Sequence, residues 1–149
     1  PPFRERRRAF AQCLGCTEDD RGMIPDWVSV TRLERQMSAR HFQALRNYVS
    51  RFSAIIAAND FMALWILKTF YADFHRQNPA FSVVGFDDID SAGLVKPGLT
   101  TIKVHKEELG REAVRMINCR LANSSLPKQE KYVELELVVR KSSARTKSD

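Results

Sequence analysis

Three acidic residues follow directly on a short apolar run in the segment FSVVGFDDIDSAG, residues 81–93. Asp87 and Asp88 stand at the end of a predicted buried strand, and Asp90 comes shortly after them. Acids in this position can hold a magnesium ion, face a phosphoryl group, accept hydrogen bonds from the hydroxyls of a sugar, or point into solvent. The residue types alone leave these four alternatives open.

Motifs for catalysis or metal binding are missing from the sequence. Phosphoryl transfer needs a phosphate cradle, and the 149 residues contain no glycine-rich phosphate-binding motif. They contain no GxSxG or HExxH motif either. Cys13 and Cys16 form the motif CLGC, but only Cys119 and three scattered histidines remain to complete a zinc site. We therefore expect no metal, no cofactor and no enzymatic activity, and the three cysteines favour a reducing compartment such as the cytoplasm.

Three further polar or aromatic residues could contact a ligand. Asn59, in the segment AAND, is both a donor and an acceptor, which suits adjacent hydroxyls, although it could instead cap a helix together with Asp60. Trp27 precedes a predicted helix and either covers the core or presents its face to a sugar ring. Arg6 lies in the cluster RERRR, and its planar guanidinium suits paired ligand oxygens.

Alternating hydrophobic periods predict the elements that must position these residues. The expected strands are the apolar runs at residues 54–58, 81–86, 99–104 and 132–139. Helical spacing predicts a helix from Val30 to Phe52, one over residues 61–74, and a third with Leu109, Ala113, Met116, Ile117 and Leu121 on one face. This order is typical of an α/β fold with a largely parallel sheet flanked by helices. Ligands of such folds bind at the carboxyl ends of strands, where Asn59 and Asp87 lie.

Composition indicates a soluble globular domain, with 44% hydrophobic and 28% charged residues. No apolar run approaches the roughly 20 residues of a membrane span. The net charge of +6 is concentrated at the two ends, and we interpret residues 141–149 as a solvated polar tail rather than a nucleic-acid site. The start, PPFRERRRAF, lacks the apolar core of a signal peptide and predicts a fragment of a larger protein.

Four segments, AIIAANDFMAL, FSVVGFDDID, KPGLTTIKVHKEELGREAV and VELELVVRKSSA, follow one another in a familiar order and spacing. In these segments the chain resembles the effector-binding domain of the lactose-repressor family of bacterial transcription regulators. ERRRAF is similar to the R-x-x-G-F pattern of that family, with Ala9 in place of the glycine. The resemblance implies a type I periplasmic-binding-protein-like fold. Residues 1–140 would be the C-terminal part of the effector domain, without the DNA-binding helix-turn-helix and the first subdomain.

The resemblance also implies a role for each candidate residue. The arginine of the R-x-x-G-F pattern, here Arg6, reaches the effector, and the aromatic residue before the next helix, here Trp27, stacks on it. Asn59 and Asp87 hydrogen-bond its hydroxyls, and the two acids after Asp87 belong to the turn. Charge-assisted hydrogen bonds to an ionised carboxylate are about twice as strong as neutral ones.

In the family a sugar-like effector binds between two subdomains and modulates the binding of a homodimer to operator DNA. Leu64, Leu94 and Val95 are the corresponding candidates for the dimer interface, unless they are ordinary core residues. Val104 stands where some members of the family place a polar ligand-contacting residue, and the change would either narrow the hydrogen bonding to the ligand or favour a less polar ligand edge. Two rival interpretations are a periplasmic sugar-binding protein of a transporter and a magnesium-dependent α/β enzyme using the two adjacent acids.

Overall fold

A four-stranded sheet with helices beside it makes up most of the described chain. The computed structural model describes residues 2–13, 15, 43, 46, 47, 49, 51–74 and 81–143. The elements in chain order are α1 (Pro2–Cys13), β1 (Ala54–Ile56), α2 (Asp60–Phe74), β2 (Ser82–Asp87), α3 (Asp90–Leu94), β3 (Thr100–Val104), α4 (Lys106–Ala122), β4 (Leu135–Val138) and a short 3₁₀ helix (Lys141–Ser143).

The sheet has the strand order β1-β2-β3-β4. The first three strands are parallel, with Ile55 opposite Val83 and Gly85 opposite Thr101. The last strand, β4, pairs antiparallel with β3. The predicted α/β fold with a largely parallel sheet is thereby confirmed. Because the three parallel strands point the same way, their carboxyl ends meet along one edge of the sheet.

The core lies between α2 and the first three strands. Ile55 and Val83 are buried in the sheet, and Phe70 of α2 is completely buried. The other buried apolar residues packed with them are Val49, Ala57, Ala63, Ile66, Leu67, Phe81, Ala92 and Leu99. This arrangement explains why α2 reads as an almost continuous apolar run. Trp65 packs edge-on against Phe70, with ring centroids 5.9 Å apart, as expected for a packing residue.

The start of α2 differs from the expected capping by Asp60. The cap is Asn59, whose Oδ1 accepts a hydrogen bond from the Met62 backbone N–H at 2.9 Å. Asp60 is instead fully buried beneath the sheet. Its Oδ1 accepts from the Thr101 hydroxyl at 2.5 Å, and its Oδ2 accepts from the Ile89 N–H at 2.9 Å. A buried carboxylate needs such partners because burial removes its hydration.

Other predicted helices have different outcomes. The helix expected from Val30 to Phe52 falls largely outside the described residues, and within it Gln43, Arg46, Asn47 and Val49 are helical. The third helix is confirmed as α4, but no residue of α4 is buried. The described part of the chain contains no helix that is both long and apolar enough to cross a membrane.

The polar tail predicted for residues 141–149 is not solvated at its start. The 3₁₀ helix Lys141–Ser143 packs on the sheet, and Ser142 is buried. The Ser142 hydroxyl donates to the Val83 carbonyl at 2.6 Å and accepts from the Thr100 N–H at 2.8 Å. These bonds lie near the amino ends of β2 and β3, so the first residues of the supposed tail hold two strands together.

Ser142→Ala is predicted to lower the free energy of unfolding by about 1–3 kcal/mol, because the substitution leaves a buried N–H and a buried carbonyl without this partner. Urea denaturation of the variant and the wild type measures the difference. Ser125→Ala, at an exposed serine, is the matched control and should stay within about 0.5 kcal/mol of wild type. Equal stability of the two variants would contradict the assignment.

Gly85→Ala is predicted to destabilise the protein by about 1–3 kcal/mol, because a Cβ at residue 85 would overlap the Asp60 carboxylate and lie 3.0 Å from Leu99 Cδ2. Gly110→Ala is the control, since a Cβ at residue 110 of α4 meets nothing within 4 Å. A helical glycine-to-alanine change should stabilise by about 0.5–1 kcal/mol. Thermal or urea unfolding that moves both variants in the same direction would refute the steric argument.

Candidate functional site

Arg6 and the ends of β1 and β2 come together at the carboxyl edge of the sheet. The Arg6 Nη1 group donates a hydrogen bond to the Ala58 carbonyl at 2.6 Å, in the turn that carries Asn59. The guanidinium carbon also lies 3.8 Å from the centroid of the Phe86 ring, directly before Asp87. One arginine of α1 therefore contacts the turn after β1 and the carboxyl end of β2.

Asp87 combines partial burial with an unusual backbone conformation. Its φ angle is 116°, in a region that non-glycine residues rarely adopt. Burial raises the pKa of its carboxyl above the ordinary value of 3.8, and the charge of Asp60 also raises it, while Arg6 and Lys106 act in the opposite direction. The Asp87 carboxyl at the end of β2 is thus influenced by charges of both signs.

Asn59 lies beside this cluster but already has a structural task. Its side-chain oxygen caps α2 through the Met62 N–H. The same amide carries two N–H donors, which are the atoms that the cap does not use. Asn59 can therefore serve as a helix cap and as a donor toward the site at once, so the two alternatives left open by the sequence are compatible.

The acids after Asp87 have different roles. Asp88 lies in the turn after β2 and does not point into solvent: its Oδ1 lies 2.8 Å from Nη2 of Arg140, and both side chains are largely buried. Arg140 also donates from Nη1 to the Leu99 carbonyl at 2.8 Å. Asp90 is exposed in the first turn of α3, as expected of a turn acid. Only the first of the three acids is thus directed to the strand-end cluster.

Other predicted residues are distributed around or outside the site. Trp27 lies outside the described residues. Val104 ends β3 and is half-buried, at the same edge of the sheet as Asp87. Among the described residues, no group of three or more His, Cys, Asp or Glu side chains is arranged to hold a metal ion. Cys13 is a free, exposed cysteine, and its predicted neighbour Cys16 lies outside the described residues.

Of the dimer candidates, Leu94 is 82% exposed, whereas Leu64 and Val95 pack against the core and are partly buried. The sequence left open whether these three residues form an interface or belong to the core. The partial burial of Leu64 and Val95 fits core packing, and Leu94 remains the exposed candidate for a dimer interface.

Sequence reasoning missed several residues that build the site. The sequence pattern predicts a helix cap at Asp60 and does not single out Thr101 or Phe86. A glycine inside a predicted buried strand, Gly85, was the one available signal, because such a glycine often marks a close approach by another group. Nothing in the local sequence identifies Phe86 as the ring beneath Arg6.

Comparison with known proteins gives a consistent result. Residues 1–143 match the family described as the periplasmic binding protein-like domain. The HTH-type transcriptional repressor PurR of Mannheimia succiniciproducens is 29% identical over 139 residues, which are 93% of this chain and 41% of that protein. The chain thus spans less than half the length of this curated relative.

Two solved structures share the fold. A LacI-type transcription regulator from Bifidobacterium animalis subsp. lactis is 32% identical, with a TM-score of 0.61 over 70% of this chain and 38% of that one. A LacI family transcriptional regulator from Arthrobacter sp. FB24, in complex with lactose, is 27% identical, with a TM-score of 0.59 over 70% of this chain and 40% of that one. The resemblance inferred from the sequence is confirmed, and this chain belongs to the periplasmic binding protein-like domain family.

Proposed function

We propose that this chain is part of the ligand-sensing domain of a DNA-binding transcription regulator and that it binds a sugar-like effector. The observation that carries the proposal is the convergence of Arg6, Asn59 and Asp87 at the carboxyl edge of the sheet. These residues come from α1, from the turn after β1 and from the last position of β2, so their approach depends on the fold and not on sequence proximity. Parallel α/β sheets bind ligands at this edge.

The chemistry of the cluster suits a ligand with adjacent hydroxyl groups. Asp87 offers carboxylate oxygens that can accept from two hydroxyls, and the Asn59 amide offers donors. The Arg6 guanidinium is held against the Phe86 ring and the Ala58 carbonyl, so it is already oriented before a ligand arrives. Preorganisation of this kind reduces the entropy lost on binding. The lactose complex of the Arthrobacter regulator supports a sugar as the ligand class.

A regulatory role is supported by the relatives and not by the site alone. The Mannheimia relative is a transcriptional repressor, which favours a cytoplasmic, non-enzymatic protein over a periplasmic transporter component or a magnesium enzyme. Operator DNA would then be bound by a helix-turn-helix domain in the same protein. A homodimer could use the surface around the exposed Leu94. The effector would act through a difference in its affinity for two arrangements of that dimer.

A thermal-shift screen of the intact protein against sugars, sugar phosphates and purines is expected to give a positive shift with a hydroxyl-rich compound. A ligand at a hundred times its Kd adds about 2.7 kcal/mol, which corresponds to a few degrees in Tm for a domain of this size. Asp87→Ala should abolish the shift, because the substitution removes the carboxylate acceptor. The exposed acid Asp90 provides the matched control, and Asp90→Ala should retain the shift.

The same screen separates ligand binding from the rival enzymatic function. A ligand that chromatography recovers unchanged after incubation with magnesium indicates binding without turnover. Conversion of the compound would overturn the proposal in favour of an enzyme. The absence of any shift in a folded sample, or an equal loss of the shift in Asp87→Ala and Asp90→Ala, would also contradict it.

The raised pKa of Asp87 predicts a pH dependence that the wild type should show and Asp87→Asn should lack. Between pH 3.8, the ordinary pKa of this carboxyl, and its higher pKa in the folded state, the folded protein binds more protons at Asp87 than the unfolded protein does. Stability contributed by this group is therefore lost as the pH rises through that window. Urea unfolding at a series of pH values tests the sign, and a wild-type profile identical to that of the asparagine variant would contradict it.

A further inference from the structure

The turn that carries Asp87 contains two consecutive non-glycine residues with positive φ angles. Asp87 has φ 116° and Asp88 has φ 47°. Such conformations are unfavourable for residues with a side chain and persist where the surrounding structure enforces them. Asp87 ends β2, so the direction of its carboxylate depends on what holds the turn. The question is which contacts impose this conformation.

Asp60 holds one end of the turn from beneath. Its Oδ2 accepts a hydrogen bond from the Ile89 N–H at 2.9 Å, immediately after the two positive-φ residues. The contact spans 29 residues of sequence and joins the first residue of α2 to the turn after β2. Water does not reach the carboxylate end of this hydrogen bond, because Asp60 is fully buried.

Asp60 is itself held in place by β3 and by the shape of β2. The Thr101 hydroxyl donates to Oδ1 at 2.5 Å, and Thr101 is fully buried as well. Gly85, opposite Thr101 in the sheet, leaves the space that the carboxylate occupies. The oxygen that meets Thr101 and the oxygen that meets Ile89 are different atoms, so the two bonds together fix the plane of the carboxylate.

We propose that Asp60 is a positioning residue of the effector site, which anchors the Ile89 backbone and thereby sets the orientation of Asp87 toward the ligand. The role rests on the proposed function and extends it, since Asp60 itself is buried and need not touch the ligand. Thr101 and Gly85 are the residues through which the fold holds Asp60. Because Asp60 is also the first residue of α2, movement of that helix is transmitted to the turn through one hydrogen bond.

Four variants test the role in the intact protein. Asp60→Ala removes both hydrogen bonds, and Thr101→Val removes one while keeping the side-chain shape. Asp60→Asn can still accept from the Ile89 N–H and can donate to the Thr101 oxygen, and Thr101→Ser keeps the hydroxyl. The last two variants are therefore the conservative rescues. Ser142→Ala is the stability control, because it breaks buried hydrogen bonds at the amino ends of the strands.

The first readout is amide hydrogen exchange at Ile89, measured by NMR, and it requires no ligand. Exchange at Ile89 should accelerate in Asp60→Ala by roughly 5- to 10-fold or more beyond the change in global stability, the scale of one lost hydrogen bond. It should also accelerate, by a smaller factor, in Thr101→Val, where the Ile89 N–H keeps its acceptor but β3 no longer holds that carboxylate. It should remain near wild type in Asp60→Asn and Thr101→Ser once global stability is subtracted. In Ser142→Ala the exchange rate at Ile89 should change only as much as the change in global stability predicts.

The second readout is affinity for lactose and for D-ribose, one disaccharide and one pentose, by calorimetry. For a sugar that binds the wild type, Kd should rise by about 5-fold or more in Thr101→Val and Asp60→Ala, and should stay within about 3-fold in the two rescues. Ser142→Ala should bind as the wild type does at a temperature where it is folded.

The outcomes distinguish the two proposals. Unchanged Ile89 exchange in a folded Thr101→Val or Asp60→Ala variant overturns the positioning role. A loss of sugar affinity in Ser142→Ala equal to the loss in those two variants also overturns it. So does faster Ile89 exchange with unchanged Kd. If the wild type binds neither sugar and no compound in the screen, the proposed function fails, while the exchange experiment still decides whether Asp60 holds the turn.

Discussion

The buried carboxylate of Asp60 is the interaction on which the arrangement of the strand ends depends. Burial of a carboxylate is costly unless its oxygens are hydrogen-bonded, and the Thr101 hydroxyl and the Ile89 N–H supply those bonds. The requirement extends to β2, where a residue larger than Gly85 would occupy the same space. One carboxylate thus fixes the relation of α2, β3 and the turn after β2, in a core made mostly of apolar side chains.

The candidate site uses the geometry that this interaction sets. Parallel strands bring the turns after β1 and β2 to one edge, and Arg6 spans them by contacting the Ala58 carbonyl and the Phe86 ring. Asp87 projects from a positive-φ position at this edge, where burial raises the pKa of its carboxyl. A guanidinium, an amide and a carboxylate on three different elements can each meet a different oxygen of a polyhydroxylated ligand.

The C-terminal segment holds the same turn from the opposite direction. Arg140 contacts Asp88 and the Leu99 carbonyl, and the Thr100 hydroxyl accepts from the Arg140 N–H at 2.8 Å. Ser142, two residues further on, joins β2 and β3. The positive-φ turn therefore lies between a buried acid from α2 and an arginine that follows β4. A displacement of the turn would therefore disturb contacts with both elements.

From the amino-acid sequence alone one predicts the order of the main elements, the largely parallel sheet, the helical apolar face of α4 and the location of Asn59 and Asp87 at strand ends. Those features follow from local periodicity and from the family resemblance. Tertiary structure decided that Asn59 and not Asp60 caps α2, that Asp88 pairs with Arg140, and that Ser142 is buried. The bonds of Asp60 and Ser142 join residues 29 to 59 positions apart. The Asn59 cap is local, but it falls to Asn59 because the Asp60 carboxylate is bound to Thr101 and Ile89. Periodicity reports which face of an element is apolar, whereas the partner of a buried polar group depends on which elements the fold brings together.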